Sequence, residues 1–326
     1  MTAPSAKPSK MQKASGWLAA LVAHEHSESS HLLTFEIQSV VDEPLPILPG
    51  QHLFIRDGEV ERPYTPISVN SKTIVILVKL SPPQQQQPKQ KSFSQWLVSL
   101  SIGERVHMRG PFGAVALQGL DGGASSSCSL HLPSAGASVP VRRLALVAGG
   151  SGVAAAAQIL NACAAAADAG TLPPLEIFVL LSDRTEESAL LTSELLTLQQ
   201  RHPSLIAALH RNYTRSHATS RRIDVEMLRK RLPPPSVDTA CLISGPPGFE
   251  SAMSRDLASI GHAHIACLSS GHVRSPAIAS EEQVALRLLQ EVIAPWLSRL
   301  RCFGSGPKPV AAAPTGHSED EVLLCA

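Results

Sequence analysis

The chain has 326 residues, 44% of them hydrophobic, which is enough for two domains with apolar cores at ~100–200 residues per domain. Its 28 basic and 27 acidic residues give a net charge of +1, and aromatic residues make up 4%. This composition excludes the basic surface of a nucleic-acid-binding protein and the polybasic patch of a membrane-surface protein, and it leaves few rings for stacking bases.

Residues 1–16 carry three lysines and no acidic residue. They are expected to form a disordered tail. A short targeting segment is the alternative, which leaves mitochondrial import open. No uninterrupted apolar run reaches the ~18 residues of a transmembrane helix. The six cysteines form no CxxC pair and are widely spaced, at positions 128, 163, 241, 267, 302 and 325. This pattern predicts reduced thiols in a soluble, intracellular protein, with the cytoplasm as the favoured compartment.

Residues 17–118 are predicted to form short β-strands between turns. Strands are expected at Trp17–Ala23, Leu32–Ile37, Gln51–Ile55 and Thr73–Leu80. One helix is predicted at Phe93–Leu100, with Ser92 as its N-cap. Short, regularly spaced strands indicate an antiparallel barrel or sandwich. The polar segment 82–91, PPQQQQPKQK, is not expected to pack.

The segment 119–141 is rich in glycine and serine and lies where the pattern changes, which predicts a linker. Between residues 142 and 270 strands alternate with helices, which predicts a doubly wound parallel sheet. The expected strands are Leu144–Ala148, Leu175–Leu181, Leu205–His210 and Thr239–Ser244, and the expected helices are Val153–Ala167, Ser188–Arg201, Asp224–Leu232 and Phe249–Ile260. Residues 271–326 are expected to be a divergent, partly disordered extension.

Four short motifs carry candidate chemistry, two of them in the first half of the chain. In Arg62-Pro63-Tyr64-Thr65, the guanidinium can pair with a diphosphate, the ring can pack on a flat heterocycle and the hydroxyl can hydrogen-bond its edge. An ordinary strand with a proline turn is the alternative. In Ser92-Phe93-Ser94, backbone N–H groups at a helix start suit a pyrophosphate. Simple N-capping is the commoner reason for such a serine.

The other two motifs lie at the ends of predicted strands. Gly149-Gly150-Ser151-Gly152 joins a strand to a helix and permits close approach of a dinucleotide, although such turns occur in many α/β domains. Ser244-Gly245-Pro246-Pro247 follows the last strand, about 90 residues further along. Ligands of open parallel sheets bind at this edge. A rigid proline turn is the alternative.

Together and in this order, the motifs resemble the ferredoxin–NADP reductase superfamily, and most closely its cytochrome b5 reductase group. The resemblance spans about residues 17–262 and also includes Leu77-Val78-Lys79, Arg109-Gly110-Pro111-Phe112-Gly113 and Thr185-Glu186 with Leu190-Leu191. It implies a fold of class β plus α/β. An FAD-binding antiparallel β-barrel would occupy residues 17–118, and a doubly wound NAD(P)-binding domain residues 142–270.

The resemblance also implies a role for each motif. Arg62 would hold the FAD diphosphate, Tyr64 and Thr65 would contact the isoalloxazine and its ribityl chain, and Lys79 would lie near the flavin and the nicotinamide. The implied catalytic residues are Thr65, Lys79 and Ser244. The implied cofactor-binding residues are Arg62, Pro63, Tyr64, Thr65, Leu77, Val78, Lys79, Ser92, Phe93, Ser94, Gly149, Gly150, Ser151, Gly152, Asp183, Gly245, Pro246 and Pro247.

Three features depart from the family pattern. Ala154-Ala155 stand where the family has Thr-Pro, and Ser244 stands where it has cysteine. Family members typically end at an aromatic residue close to the flavin face, and this chain continues for about 60 residues past that expected end. Phe303 could supply that ring, but a divergent tail is the favoured interpretation. These changes could slow hydride transfer or alter its specificity without abolishing FAD binding.

The preferred nicotinamide nucleotide stays open. Asp183 follows the second strand of the nucleotide domain, where a carboxylate can bind ribose hydroxyls and repel a 2′-phosphate. Arginines that suit a 2′-phosphate occur at positions 184, 211, 215, 221 and 222, and a solvated basic loop is their simpler explanation. By resemblance NADH is favoured, with NADPH as the alternative.

The resulting hypothesis is an NAD(P)H-dependent flavin oxidoreductase of the cytochrome b5 reductase type. It would pass a hydride from nicotinamide C4 to flavin N5, and then electrons to a heme protein or another one-electron acceptor. An interaction protein on a degenerate reductase fold and an electron-input subunit of a larger complex are the alternatives. Neither a nucleic-acid partner nor a metal is expected, and the HxH pairs His24/His26 and His262/His264 are expected to be surface histidines. The sequence does not determine the oligomeric state.

Overall fold

The computed structural model describes residues 15–26, 30–38, 45–80, 92–121, 127–132, 137–215, 221–269 and 273–274. The chain divides into two units, Met1–Ala277 and Ile278–Ala326, and every described residue lies in the first. The expectations for segment 82–91, for residues 1–14 of the tail, and for Phe303 and nearly all of the C-terminal extension lie outside these residues.

Seven antiparallel strands form the N-terminal domain, because apolar residues alternate along them and turn one face inward. In β2, for example, Leu33, Phe35 and Ile37 are buried. The strands are β1 Ser15–His26, β2 Ser30–Ile37, β3 His52–Asp57, β4 Val60–Tyr64, β5 Pro66–Val69, β6 Thr73–Lys79 and β7 Arg105–Phe112. One helix, α1 Phe93–Val98, lies between β6 and β7.

The order of these strands closes the sheet on itself. They are arranged β4-β3-β7-β1-β2-β6-β5, which puts β4 and β5 at opposite edges. Only Thr65 separates those two strands in the sequence. The sheet therefore curls until its edges meet at Thr65, and the predicted antiparallel barrel is confirmed.

A three-stranded sheet occupies much of the segment that was predicted to be a linker. It contains β8 Ala116–Gln118, β9 Cys128–Leu132 and β10 Ala137–Val141, paired antiparallel in the order β10-β9-β8. The abundant glycine and serine hide a clear alternation, since Cys128, Leu130 and Leu132 are all fully buried. For residues 128–132 and 137–141 the linker prediction was wrong.

The C-terminal domain is the predicted doubly wound sheet. Its strands are β11 Arg143–Gly149, β12 Glu176–Asp183, β13 Ile206–Tyr213, β14 Thr239–Ser244, β15 His264–Cys267 and β16 Val273–Arg274, in the order β13-β12-β11-β14-β15-β16. The first five are parallel and β16 is antiparallel to β15. The helices are α2 Val153–Asp168, α3 Thr192–Arg201, α4 Val225–Arg231 and α5 Pro247–Ser259.

Helices cover both faces of this sheet. Along β11, Leu144 and Leu146 turn to the face packed by α2 and α3, while Ala145 and Val147 turn to the face packed by α4 and α5. Helix α2 also packs on the small sheet and on Ile67 of the barrel within one continuous core. The two domains therefore share a hydrophobic interface.

Helix Gly150–Asp168, which joins the glycine turn to α2, is the one described helix long and apolar enough to cross a membrane by length and composition. Of its most apolar window, 61% is buried inside the protein, as in the core helix of many soluble domains. Its apolarity is therefore weak support for a membrane span.

Three local predictions differ from the structure. Helix α3 begins at Thr192 and not at Ser188, because Ser188 and Thr185 exchange hydrogen bonds in a turn that ends the preceding loop. His262 and His264 are buried and not on the surface. Strand β15, which begins at His264, was missed, since its four residues are too few for a periodic pattern.

Candidate active site

A cleft of about 770 Å³ opens between the barrel and the C-terminal domain, at the carboxyl ends of the parallel strands. Of the sequence-predicted site residues, it is lined by Arg62, Pro63, Tyr64, Thr65, Leu77, Lys79, Ser92, Phe93, Ser94, Ser151, Gly152, Ser244 and Gly245. Residues from all four motifs thus meet in one space, although 182 positions separate Arg62 from Ser244.

The barrel wall of the cleft is built where β4 ends and β5 begins. Arg62 is exposed and donates one hydrogen bond, to the backbone oxygen of Glu61 at 2.9 Å. Among the described residues it forms no ion pair, because Arg109 holds the Glu61 carboxylate at 2.7 Å and, by this hydrogen bond, lowers the pKa of Glu61. The Arg62 guanidinium is therefore available for a diphosphate.

An aromatic ledge lies beside this arginine. The rings of Tyr64 and Phe93 are stacked, with centroids 6.1 Å apart, and Trp96 packs on Phe93 at 5.0 Å. Burial raises the pKa of Tyr64, against the weaker opposing effect of a hydrogen bond with Ser94. The phenol therefore stays protonated at neutral pH, and the ledge offers a flat apolar surface with a hydroxyl at its edge.

The start of α1 forms the next part of the wall. The Ser92 hydroxyl accepts a hydrogen bond from the Gln95 amide at 3.2 Å, and the Gln95 side chain accepts one from the Ser92 amide at 2.9 Å. This reciprocal capping box fixes the turn that presents Phe93 and Ser94 to the cleft. The predicted N-cap is confirmed.

The opposite wall is made by two backbone segments in direct contact. A Cβ atom on Gly152 would lie 2.2 Å from the Ser244 carbonyl oxygen and 2.8 Å from the Gly245 nitrogen. Gly150 has a φ of +56°, in the left-handed region that favours glycine. Glycine is thus required both for the turn and for the close approach of α2 to the end of β14.

Lys79 reaches across the cleft from the barrel. Its Nζ lies 3.5 Å from the Ser188 carbonyl oxygen in the C-terminal domain, so it spans the two domains. Leu77, two residues earlier, also lines the cleft. Val78 does not, because the alternation of β6 turns its side chain into the barrel core with 1% exposure. The prediction that Val78 binds the cofactor stays a prediction, and it could only be met through the backbone of Val78.

Asp183 lies in a buried ion pair at the end of the second parallel strand. It is 6% exposed, and its carboxylate accepts a 2.8 Å hydrogen bond from Arg211 in a buried ion pair. Burial raises the pKa of Asp183, and the Arg211 charge opposes that effect. The cofactor contact of Asp183 stays a prediction, in which the carboxylate would bind a ribose while it also accepts the hydrogen bond from Arg211.

The remaining predicted residues lie next to the cleft but do not line it. They are Gly149, Gly150, Pro246 and Pro247. Gly149 and Gly245 pack against the ring of Phe249, where added Cβ atoms would come within 3.2 and 2.8 Å of ring carbons. Close packing of their backbone against the Phe249 ring therefore explains why both positions are glycine.

Several lining residues were missed by sequence reasoning, namely Gly50, His52, Phe54, Leu268 and Ser269. The Pro49-Gly50 turn gave a usable signal for the first of these. Burial lowers the pKa of His52, so its ring is neutral at pH 7. Ala154 and Ala155 also line the cleft, at the position where the family pattern has Thr-Pro.

Comparison with known proteins agrees with this arrangement. The family model of an oxidoreductase FAD-binding domain matches residues 19–117, and that of an oxidoreductase NAD-binding domain matches residues 146–255. NADH-cytochrome b5 reductase 1 of Bos taurus is 31% identical over 212 residues, which are 61% of this chain and 66% of that protein. NADH-cytochrome b5 reductase 3 of Rattus norvegicus is 28% identical over 240 residues, which are 69% of this chain and 76% of that protein.

A solved structure shows the same fold. The crystal structure of the cytochrome b5 reductase domain of Ulva prolifera nitrate reductase superimposes with a TM-score of 0.64 and 25% identity. The superposition covers 76% of this chain and 94% of that domain.

Proposed function

Since the chain belongs to the FAD- and NAD-binding oxidoreductases of the ferredoxin–NADP reductase superfamily, with the NADH-cytochrome b5 reductases among its relatives, we propose that it reduces bound FAD with NADH. It would then pass electrons to a one-electron acceptor such as a cytochrome b5-like heme protein. The observation that supports this most directly is one cleft lined by Arg62-Pro63-Tyr64-Thr65 on one side and by Ser151-Gly152 and Ser244-Gly245 on the other.

The described residues fit FAD. The cleft offers an unpaired guanidinium, a capped helix start and a stacked aromatic ledge, which match a diphosphate and a flat ring system. When bound, FAD would supply the redox chemistry, accepting a hydride from NADH, which is oxidised to NAD⁺, and giving up the two electrons one at a time to two molecules of a one-electron acceptor.

Within this proposal the side chains bind and orient. Arg62 and the Ser92–Ser94 turn hold the diphosphate, while Tyr64 and Thr65 contact the isoalloxazine and the ribityl chain. Lys79 bridges the domains beside the entering nicotinamide nucleotide. Ser244 offers a hydroxyl where related enzymes have a thiol, and the glycine turn admits the nucleotide backbone.

NADH is the proposed electron donor, in line with the names of the relatives. The Asp183 carboxylate, which was expected to repel a 2′-phosphate, is held in a buried ion pair with Arg211. NADPH should therefore be tested beside NADH as the electron donor. We also propose an intracellular location, which the free thiols of Cys128, Cys163 and Cys241 support.

The first experiment is a visible absorption spectrum of the purified full chain, before and after anaerobic addition of NADH and then NADPH. Flavin bands that bleach with either nucleotide are the expected result. Absence of flavin bands, even after reconstitution with FAD, would refute the proposal. Bands that persist with both nucleotides would support a second candidate, a catalytically impaired reductase fold, for which Ala154 and Ala155 in the cleft are the specific observation.

A matched pair of variants tests the role of Arg62. Replacing Arg62 by Met should weaken FAD binding about 10- to 100-fold, since a hydrogen bond to a charged group contributes ~1.5–3 kcal/mol. Arg56→Met is the control, because Arg56 is an exposed arginine of the neighbouring strand β3 that does not line the cleft. FAD affinity is measured by fluorescence titration. Equal affinity in the two variants would show that Arg62 does not bind the diphosphate.

A further inference from the structure

Two polar side chains of α2 cross from the C-terminal domain to the barrel. The Gln158 Oε1 accepts a hydrogen bond from the Gly50 amide at 2.9 Å, and its Nε2 donates to the Gln51 carbonyl oxygen at 3.0 Å. One turn further along, the Asn161 Nδ2 donates to the Ile67 carbonyl oxygen at 2.8 Å. The helix therefore holds barrel backbone at two points.

The Gln158 contact is buried and fully paired. The residue is 4% exposed and lies in a helix otherwise dominated by alanine, with buried Ala156 and Ala157 just before it. The Gln158 amide pairs with the Gly50 N–H group and with the Gln51 carbonyl group, and a buried donor or acceptor that loses its partner costs ~1–3 kcal/mol. An apolar residue at this position would leave both backbone groups without a partner.

The backbone that Gln158 holds belongs to the cleft. Gly50 lines it and has a φ of +103°. A Cβ atom on Gly50 would lie 2.8 Å from the Val115 carbonyl oxygen, so the turn is packed closely from the other side as well. The position of Gly50 is thus set by Val115 within the barrel and by Gln158 across the domain interface.

The same helix carries the other wall of the cleft at its start. Ala154 and Ala155 line the cleft, together with Ser151 and Gly152 just before them. Ala154 precedes Gln158 by four residues, which is about 6 Å along a helix at ~1.5 Å per residue. A displacement of α2 at Gln158 would therefore move the nicotinamide-side wall relative to the barrel.

We propose that Gln158 is a positioning residue, which sets the separation of the flavin-side and nicotinamide-side walls through Gly50 and the first turn of α2. This inference rests on the proposed function. Hydride transfer requires reacting atoms within ~3–3.5 Å, and a displacement of ~1 Å costs about 100-fold in rate. One buried amide, placed away from the reacting atoms, thus controls the rate of flavin reduction.

The test compares Gln158→Leu with Leu228→Ala in the full chain. Leu228 is fully buried on α4, on the opposite face of the sheet, so its truncation lowers stability without touching the domain interface. With no nucleotide or flavin added, hydrogen exchange at the Gly50 amide should accelerate at least 10-fold in Gln158→Leu and remain unchanged in Leu228→Ala.

The second measurement is anaerobic flavin reduction in a single turnover, with NADH and with NADH deuterated at C4. Gln158→Leu should slow the hydride step about 10- to 100-fold and change its isotope effect, while the FAD dissociation constant stays within 3-fold. Leu228→Ala should match the wild type in rate and isotope effect. A wild-type rate in Gln158→Leu, or equal losses in both variants, would overturn the proposal.

A third variant separates positioning from a loss of packing. In Gln158→Glu the carboxyl still accepts from the Gly50 amide, but it donates to the Gln51 carbonyl only when protonated. Burial raises the pKa of such a carboxyl above its usual ~4.3, so the hydride rate should rise toward the wild-type value as the pH falls. A flat pH profile relative to the wild type would contradict the inference. Wild-type protein that binds no FAD would instead refute the proposed function itself.

Discussion

We expect the cleft to be disturbed most by an added methyl group at Gly152. Its added Cβ atom would lie 2.2 Å from the Ser244 oxygen and 2.5 Å from the Ser244 carbonyl carbon, both of them backbone atoms. Real Cβ atoms essentially never approach closer than 3.0 Å, so in Gly152→Ala the start of α2 and the end of β14 must separate by about 0.8 Å. These two segments form the nicotinamide-side wall.

The displacement sets the size of the effect. Overpacking of this kind costs ~1–3 kcal/mol, which for a chain of this length lowers the Tm by about 1.5–4.5 °C. A shift approaching 1 Å in the wall that holds the nicotinamide should also reduce the rate of NADH-dependent flavin reduction about 100-fold. The two assays are thermal unfolding without added cofactor and anaerobic stopped-flow reduction.

Gly248→Ala provides the matched control. Gly248 lies in the first turn of α5, and an added Cβ atom there would meet nothing within 4 Å. Since alanine is favoured over glycine inside a helix by ~0.5–1 kcal/mol, the control should keep or raise the Tm and keep the rate. A Gly152→Ala protein as stable and as active as the wild type would refute the argument from backbone contact.

Two further variants test buried polar groups. Arg211→Met should lower the free energy of unfolding by ~3–5 kcal/mol in urea titrations, because it leaves the Asp183 carboxylate buried without its partner. His262→Leu should stabilise the protein by about 1 kcal/mol at pH 7, because neither ring nitrogen of the 3% exposed imidazole has a hydrogen-bond partner within the described structure. Burial lowers the pKa of His262 from 6.5, so below pH 6.5 the unfolded chain takes up a proton that the folded chain does not. The free energy of unfolding of the wild type should therefore fall with decreasing pH by up to ~1.4 kcal/mol per unit more steeply than that of His262→Leu.

Each of these variants has a control on the surface. The Arg201–Asp168 ion pair has side chains 60% and 54% exposed, so Arg201→Met should cost less than ~1 kcal/mol. His26 is exposed, so His26→Leu is the surface control and should not raise the free energy of unfolding at pH 7 as His262→Leu does. Equal losses for Arg211→Met and Arg201→Met, or parallel pH profiles for wild type and His262→Leu, would contradict the burial argument.

Much of the fold follows from local pattern. Alternating apolar residues in β2 and β6 predict strands, and the alternation of strands and helices after residue 142 predicts the parallel sheet. Ser92 predicts the start of α1, because an N-cap depends only on the next three residues. The candidate site was largely predictable for the same reason, since each of its four motifs is contiguous and their order is specific.

Other features depend on which segments the topology brings together. The hairpin at 128–141 was missed because glycine and serine concealed a pattern only five residues long. Leu77, Val78 and Lys79 carry the same prediction, and only the folded strand shows that the Val78 side chain turns into the barrel core, away from the cleft.

The sequence by itself determined the two domains, the four motifs and the chemistry that their residue types allow. The tertiary structure decided three contacts. Arg211 forms an ion pair with Asp183, and the Ser244 carbonyl oxygen leaves no room for a Cβ atom at Gly152. Gln158 accepts a hydrogen bond from the amide of Gly50, which lies 108 positions earlier in the sequence. The physical reason is range: periodicity and capping act within a few residues, whereas ion pairs, backbone contacts and buried amide pairs form between segments that only the folded topology places side by side.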